Sequence, residues 1–291
     1  MSQKALTAIH ASPPAHWVGD GFLVQALFAS LAFGQEVSPF QKLDYDAPHQ
    51  FKPSDKPPGV GPKPHRGFET VTIVNEGELE HRDSAGNAGK IGAGDVQWMT
   101  AGSGVLHEEF HSREHAARGG SASMAQLWVN LPARDKKVEP RYQTVLADTI
   151  PTVEIAGGKG TLRVVAGAYG TTQGPAKTFT PLSVWDVNLK AGAELDLAIA
   201  QGDNVLVALL SGDIRVGADK ATGTGLLTFS QTGDNIVLQA SADTKLLVLS
   251  GRPLAEPIAH YGPFVMNTEA EIREAIDDFR RGKMGELEEL V

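Results

Sequence analysis

The chain contains no cysteine. That absence removes disulfides, zinc-thiolate and iron-sulfur sites and thiol nucleophiles together, so any metal must rest on histidine and carboxylate. A long apolar run is missing as well. The most hydrophobic stretch, Phe22 to Phe33, is interrupted by Gln25 and Ser30 and falls far short of the roughly 18 residues that a membrane span requires. The opening MSQKALTAIHASPP lacks a charged start followed by an apolar core; no secretory signal is expected, no membrane association, and a cytoplasmic location. Nor is there an excess of positive charge. The 26 Lys and Arg face 35 Asp and Glu, a formal charge of -9, which argues against direct nucleic-acid binding.

Glycine and proline are what the sequence has in quantity. The 32 Gly and 17 Pro lie between short Val/Ile/Leu runs, the texture of many strands joined by tight turns. An all-β protein is expected, and 291 residues suffice for two compact domains or one large barrel. Strand-like pieces run over Phe68 to Asn75, Gly77 to Arg82, Asp95 to Thr100, Val105 to His111 and Ala125 to Leu131. A second series covers Leu162 to Ala166, Leu182 to Leu189, Asn204 to Leu210, Ile214 to Val216, Gly225 to Phe229, Asn235 to Gln239 and Lys245 to Leu249. Such spacing suggests a sandwich or barrel. The Pro-rich stretch Val37 to Pro64 is expected to be a surface loop, because proline cannot donate to a sheet. The charged, turn-rich segment Pro132 to Pro151 reads as a linker. Gly-Asp followed by an apolar strand occurs in both halves, at Gly94-Asp95-Val96 and Gly233-Asp234-Asn235-Ile236, a weak hint of duplication. Thr268 and Glu271 form a capping box for a terminal helix with an apolar stripe of Ile272, Ala275, Ile276 and Phe279.

Five of the nine histidines fall between His65 and His115. The strings around them are KPHRGFET (Lys63 to Thr70) and GVLHEEFH (Gly104 to His111). In an extended strand, residues i and i+2 share a face, so His107 and Glu109 point one way and Glu108 the other. On the same count His65 shares its face with Lys63, Gly67 and Glu69. Two such strands facing each other would gather imidazole and carboxylate around one cavity. That set suits Fe(II) and is compatible with Mn, Ni, Cu or Zn. His111 lies roughly 13 Å along the strand from His107, too far to share an ion without a bulge. Trp98 and Trp128 are expected to pack the barrel, with the lining of a substrate pocket as the alternative; Arg66 and Glu69 could pair with each other or orient ligands, and His81 and Asp83 read as supporting groups.

These residues resemble the pirin family of the cupin superfamily. The resemblance is carried by PHRGFETVTIV (Pro64 to Val74), HRDSAGNAGKIGAGDVQWMTAGSGVLHEEF (His81 to Phe110), QLWVNLP (Gln126 to Pro132) and GPFVMNT (Gly262 to Thr268), and it covers essentially the whole chain. It implies two jelly-roll-like cupin barrels in tandem with a short C-terminal helix. Residues 1–135 would be the N-terminal domain with the metal, and 136–291 a C-terminal cupin-like domain plus the helix. The family holds Fe(II) with three His and one Glu; His65, His107 and Glu109 match three of these. The fourth position is Lys63, and an ammonium is a poor ligand.

Three readings are open: a three-ligand metal site, a substitute ligand such as Glu69 or His81, or no metal, with Lys63 as a fixed positive charge. The resemblance implies quercetin 2,3-dioxygenase activity on a flavonol-like substrate, Glu109 accepting the hydroxyl proton and Lys63 stabilising the phenolate. The alternative is a regulatory, protein-binding pirin with weak or no metal binding. A dioxygenase acting on another phenolic or carbonyl substrate is the third possibility.

Overall fold

In the computed structural model, which describes residues 2–287, strands dominate the chain. They form two compact units. Each unit has a seven-stranded and a four-stranded antiparallel sheet, so the duplication hinted at by the two Gly-Asp strings is an architectural one.

The units interleave along the chain. One contains the chain up to Pro13, Leu27–Pro39 and Asp148–Leu254; the other contains Pro14–Ala26, Phe40–Ala147 and the described residues from Ala255 onward. Two pairings cause this. The N-terminal strand Leu6–Ala11 joins Gly225–Phe229, and the C-terminal segment packs with the unit that carries His65, through a bridge between Arg66 and Phe264.

The unit with Asp148–Leu254 is filled with hydrocarbon. Leu162, Val164, Val187, Leu197, Val207, Leu238 and Val248 are buried in one cluster, as strands with alternating inward side chains require. In the other unit the seven-stranded sheet runs Arg141–Val145, Val96–Thr100, Phe68–Glu76, Gly120–Asn130, Phe40–Phe51, Phe22–Ala29 and His16–Val18. Its four-stranded sheet runs Gly59–His65, Val105–His111, Glu78–Asp83 and Ala88–Gly92. This unit buries polar side chains in number, among them His65, His81, His107 and Glu109.

Most sequence-derived strands are present within a few residues of their expected bounds. The expected loop at Val37 to Pro64 is instead two strands, Phe40–Phe51 and Gly59–His65. Phe40, Leu43 and Tyr45 are buried in the first and outweigh Pro48 near its end. The second pairs on one side only, with Val105–His111, so Pro62 and Pro64 withhold few ladder bonds. The expected linker contributes the strand Arg141–Val145, paired with Val96–Thr100.

The terminal helix Glu269–Arg280 starts at the expected capping box: the Thr268 hydroxyl accepts from the Glu271 amide at 3.2 Å, and the Glu271 carboxylate accepts from the Thr268 amide at 2.9 Å. Of its stripe, Ile272 and Ala275 are buried with Phe264 and Met266, Ile276 packs against them, and Phe279 is 41% exposed.

Candidate metal centre

Register decides which side chains meet. On the antiparallel pair Gly59–His65 and Val105–His111, Lys63 lies opposite His107 and His65 opposite Val105. The register slips between His107 and Glu109, so that Glu109 lies opposite Val60. Residues 60 to 63 then face residues 107 to 109, one extra residue on the proline-containing strand, which is a β-bulge. On the other side Glu109 lies opposite His81 and His107 opposite Asp83. Directly opposed residues share a face, and this face looks into the barrel.

His65 and His107 are 3% and 1% exposed. Their rings sit 4.7 Å apart between centroids. Phe68 lies 5.0 Å and Trp128 5.2 Å from the His65 ring, and the two aromatics stack on each other at 4.2 Å. Burial holds both imidazoles well below their usual pKa, followed by the neighbouring ring in the case of His65, and with Lys63 adding to the effect in both. They are therefore neutral near pH 7, the form that binds metal. Nε2 of His107 has no hydrogen-bond partner, and neither nitrogen of His65 has a side-chain partner. Two buried imidazoles with unengaged nitrogens on one face are a donor set in search of a ligand.

Glu109 is differently placed. Its Oε2 pairs with the Lys63 ammonium at 2.9 Å, and Nε2 of Gln126 donates to Oε1 at 3.0 Å and to Oε2 at 3.3 Å. Burial alone would raise its pKa, but the Lys63 charge and these hydrogen bonds outweigh burial and leave the carboxylate below its usual range. Glu109 is thus ionised and engaged. Among the described residues, no group of three or more His, Asp or Glu side chains stands ready to hold one ion. The donors fit a divalent cation in type, protonation and face; access to Glu109 requires the Lys63 contact to open.

Several sequence expectations need correction here. Glu69 does not share the site face. Gly67, at φ +87, lies between the two strands and resets the alternation, so that Phe68 meets His65 while Glu69 lies opposite Thr100 and accepts its hydroxyl at 2.7 Å. Arg66 pairs with Asp278 of the terminal helix at 3.0 Å rather than with Glu69. Asp83 organises a turn, accepting from the amides of Ala85 and Asn87. His81 stacks on Tyr142 at 4.9 Å, its Nδ1 unpartnered. His111 sits apart, as its distance predicts, with Nε2 2.8 Å from the Gly21 carbonyl. Trp98 is fully buried in the core as expected, whereas Trp128 borders the site. The sequence reading missed Gln126 and Phe68; Gln126 and Trp128, two apart in QLWVNLP, carried the signal of one shared strand face.

A cavity of about 30 Å³ lies against the ion pair, lined by Lys63, Glu109, Gln126, Asp44 and five apolar side chains including Phe22 and Met124. A larger groove of about 630 Å³, bordered by Lys56, Arg82, Glu108 and Arg113, does not include His65, His107 or Glu109. No helix among the described residues is long and apolar enough to cross a membrane.

Comparison with known proteins agrees with this architecture. The family model Pirin matches residues 21–129, and the Pirin C-terminal cupin domain matches residues 184–285. A Pseudomonas aeruginosa protein named "Putative quercetin 2,3-dioxygenase" is 51% identical over 280 residues, 96% of this chain and 98% of that protein. Human pirin is 37% identical, over 86% of this chain and 84% of its own. The crystal structure of a quercetin 2,3-dioxygenase from Acinetobacter baumannii superposes with a TM-score of 0.97 at 49% identity, covering 99% of this chain and all of that one. The chain is a two-cupin protein and belongs to the pirin family.

Proposed function

We propose that the first cupin barrel is the active site of a metal-dependent dioxygenase acting on a flavonol-like substrate, a quercetin 2,3-dioxygenase working in the cytoplasm. The observation that carries this reading is the buried pair of neutral imidazoles, His65 and His107, with unengaged nitrogens on the same face as the ionised Glu109. These three residues would hold the cation, Fe(II) being the metal the donor set suits first. When bound, such an ion supplies Lewis acidity and a redox partner for oxygen.

The remaining work falls to the chain's own side chains. A flavonol hydroxyl beside Glu109 loses its proton to that carboxylate, and the Lys63 ammonium, released from its contact with Glu109 but still in the cavity they both line, stabilises the phenolate. The transfer depends on Lys63 acting on both partners. Its charge lowers the basicity of Glu109, and it lowers the pKa of an adjacent phenol by the same Coulombic attraction. Trp128 and Phe68, stacked beside His65, offer an aromatic wall to a planar ring system. The cavity at the ion pair, about 30 Å³, is far smaller than a flavonol needs, so entry requires its apolar lining, Phe22, Val24 and Met124 among it, to give way.

The test is iron content after anaerobic Fe(II) loading, followed by oxygen uptake with quercetin, with His107→Ala as control. The proposal expects near-stoichiometric iron and quercetin-dependent uptake, both lost in the control. Uptake that is absent, or unchanged by His107→Ala, overturns it. The Lys63–Glu109 pair favours a second reading, a protein-binding pirin with weak or no metal binding, which the absence of both iron and uptake would support.

A further inference from the structure

Two carboxylates line the small cavity at Lys63, and Lys63 pairs with only one of them. Glu109 receives its ammonium at 2.9 Å. On the neighbouring strand, Asp44 lies opposite Gln126, the residue that holds Glu109 from the other side. Asp44 and Lys63 line the same small cavity. Asp44 is 7% exposed; its Oδ2 pairs with Lys42 at 2.5 Å, while its Oδ1 is buried without a hydrogen-bond partner. A buried, unengaged acceptor beside a cation is costly unless something occupies it at some stage. The Lys63 side chain is 23% exposed while its Nζ is buried, so the stem reaches solvent and the ammonium stays inside the barrel.

We propose that Lys63 is a two-position internal cation: it holds Glu109 in the metal-free barrel and moves to Oδ1 of Asp44 when a divalent cation takes Glu109 together with His65 and His107. The inference rests on the reading of this barrel as a metal centre and adds what governs its affinity. The incoming ion competes with an ammonium for one carboxylate, and Asp44 lowers the cost of displacement by receiving that ammonium. Metal affinity is therefore coupled to Asp44, a residue that need not touch the metal, and the coupling runs through Lys63.

The experiment is calorimetric titration of Ni(II), a redox-stable probe, into the full-length protein, Lys63→Met, Asp44→Asn and the double variant. Lys63→Met removes the competitor and leaves Glu109 without a counter-charge, so it should bind Ni(II) about 100-fold more tightly than wild type. Asp44→Asn should bind about tenfold more weakly than wild type, yet have no effect in the Lys63→Met background, the non-additivity that a shared pathway requires. If Lys63→Met does not fold, Lys63→Gln, which removes the charge without adding an imidazole, replaces it and should show the same direction of change; Lys63→His, which supplies a further imidazole, serves only as a positive control for binding. An affinity indifferent to residue 63, or an Asp44→Asn effect equal in both backgrounds, overturns the proposal while leaving the metal centre standing. No Ni(II) binding by any variant, Lys63→His included, overturns both. Tight binding by Lys63→Met without oxygen uptake in any form supports the exchange and removes the dioxygenase reading.

Discussion

Replacing Glu69 with Gln should remove one definite share of the stability loss that the wild type undergoes as pH rises from 5 to 8. Glu69 is 1% exposed, and burial raises its pKa from 4.5 to about 7, against the opposing effects of the Thr100 and Trp98 side chains and Arg141. The native state therefore keeps a proton on Glu69 between pH 4.5 and about 7, whereas the unfolded chain has released it. Stability supplied by this proton is complete below pH 4.5 and is lost as pH rises through about 7. A difference of about 2.5 pKa units at about 1.4 kcal/mol each comes to about 3 kcal/mol. Glutamine keeps an oxygen to accept the Thr100 hydroxyl and has no charge to desolvate. Urea unfolding at pH 5, 6, 7 and 8 should then show the Glu69→Gln advantage growing from about 1 kcal/mol at pH 5 to about 3 kcal/mol at pH 8. An advantage that stays constant over this range would refute the burial argument, because a packing effect carries no pH dependence. The same variant should bind Ni(II) like wild type, since Glu69 lies on the face away from His65; a lost affinity would return Glu69 to the ligand set.

Two other substitutions probe the frame around the site. Gly67→Ala places a Cβ 2.1 Å from the Val265 carbonyl oxygen at a residue with φ +87, so it should cost more than about 2 kcal/mol in urea unfolding and increase amide exchange at Arg66 and Val265. Trp128→Ala removes the ring stacked on Phe68 and should destabilise by about 3 kcal/mol, while loosening the His65 side chain, read as a changed imidazole chemical shift in NMR spectra.

The legible and illegible parts of this molecule divide along a physical line. Strands such as Leu182–Leu189 and Val105–His111 lie where residue type and period put them, because alternating burial is a local property. The terminal helix is equally local, its capping box written in Thr268 and Glu271. What depends on partners was misread. Phe40–Phe51 and Gly59–His65 look like loop because proline opposes pairing, yet one gains from buried Phe40 and Leu43 and the other needs only one neighbour. Alternation alone puts Glu69 on the His65 face, and Gly67 breaks that alternation. At the site itself, the sequence pattern groups His65, His107 and Glu109, which the structure places in one barrel, and marks Lys63 as the departure from the family's pattern. That Lys63 meets Glu109, instead of extending into solvent, follows from the bulge that sets residue 63 opposite His107 and residue 60 opposite Glu109. A bulge is a relation between two strands, and neither strand's residues alone encode it. The charge at position 63 is thus visible in one letter, while its consequence for metal binding depends on register, and a variant that shifted the bulge without changing any site residue would alter it as surely as Lys63→Met.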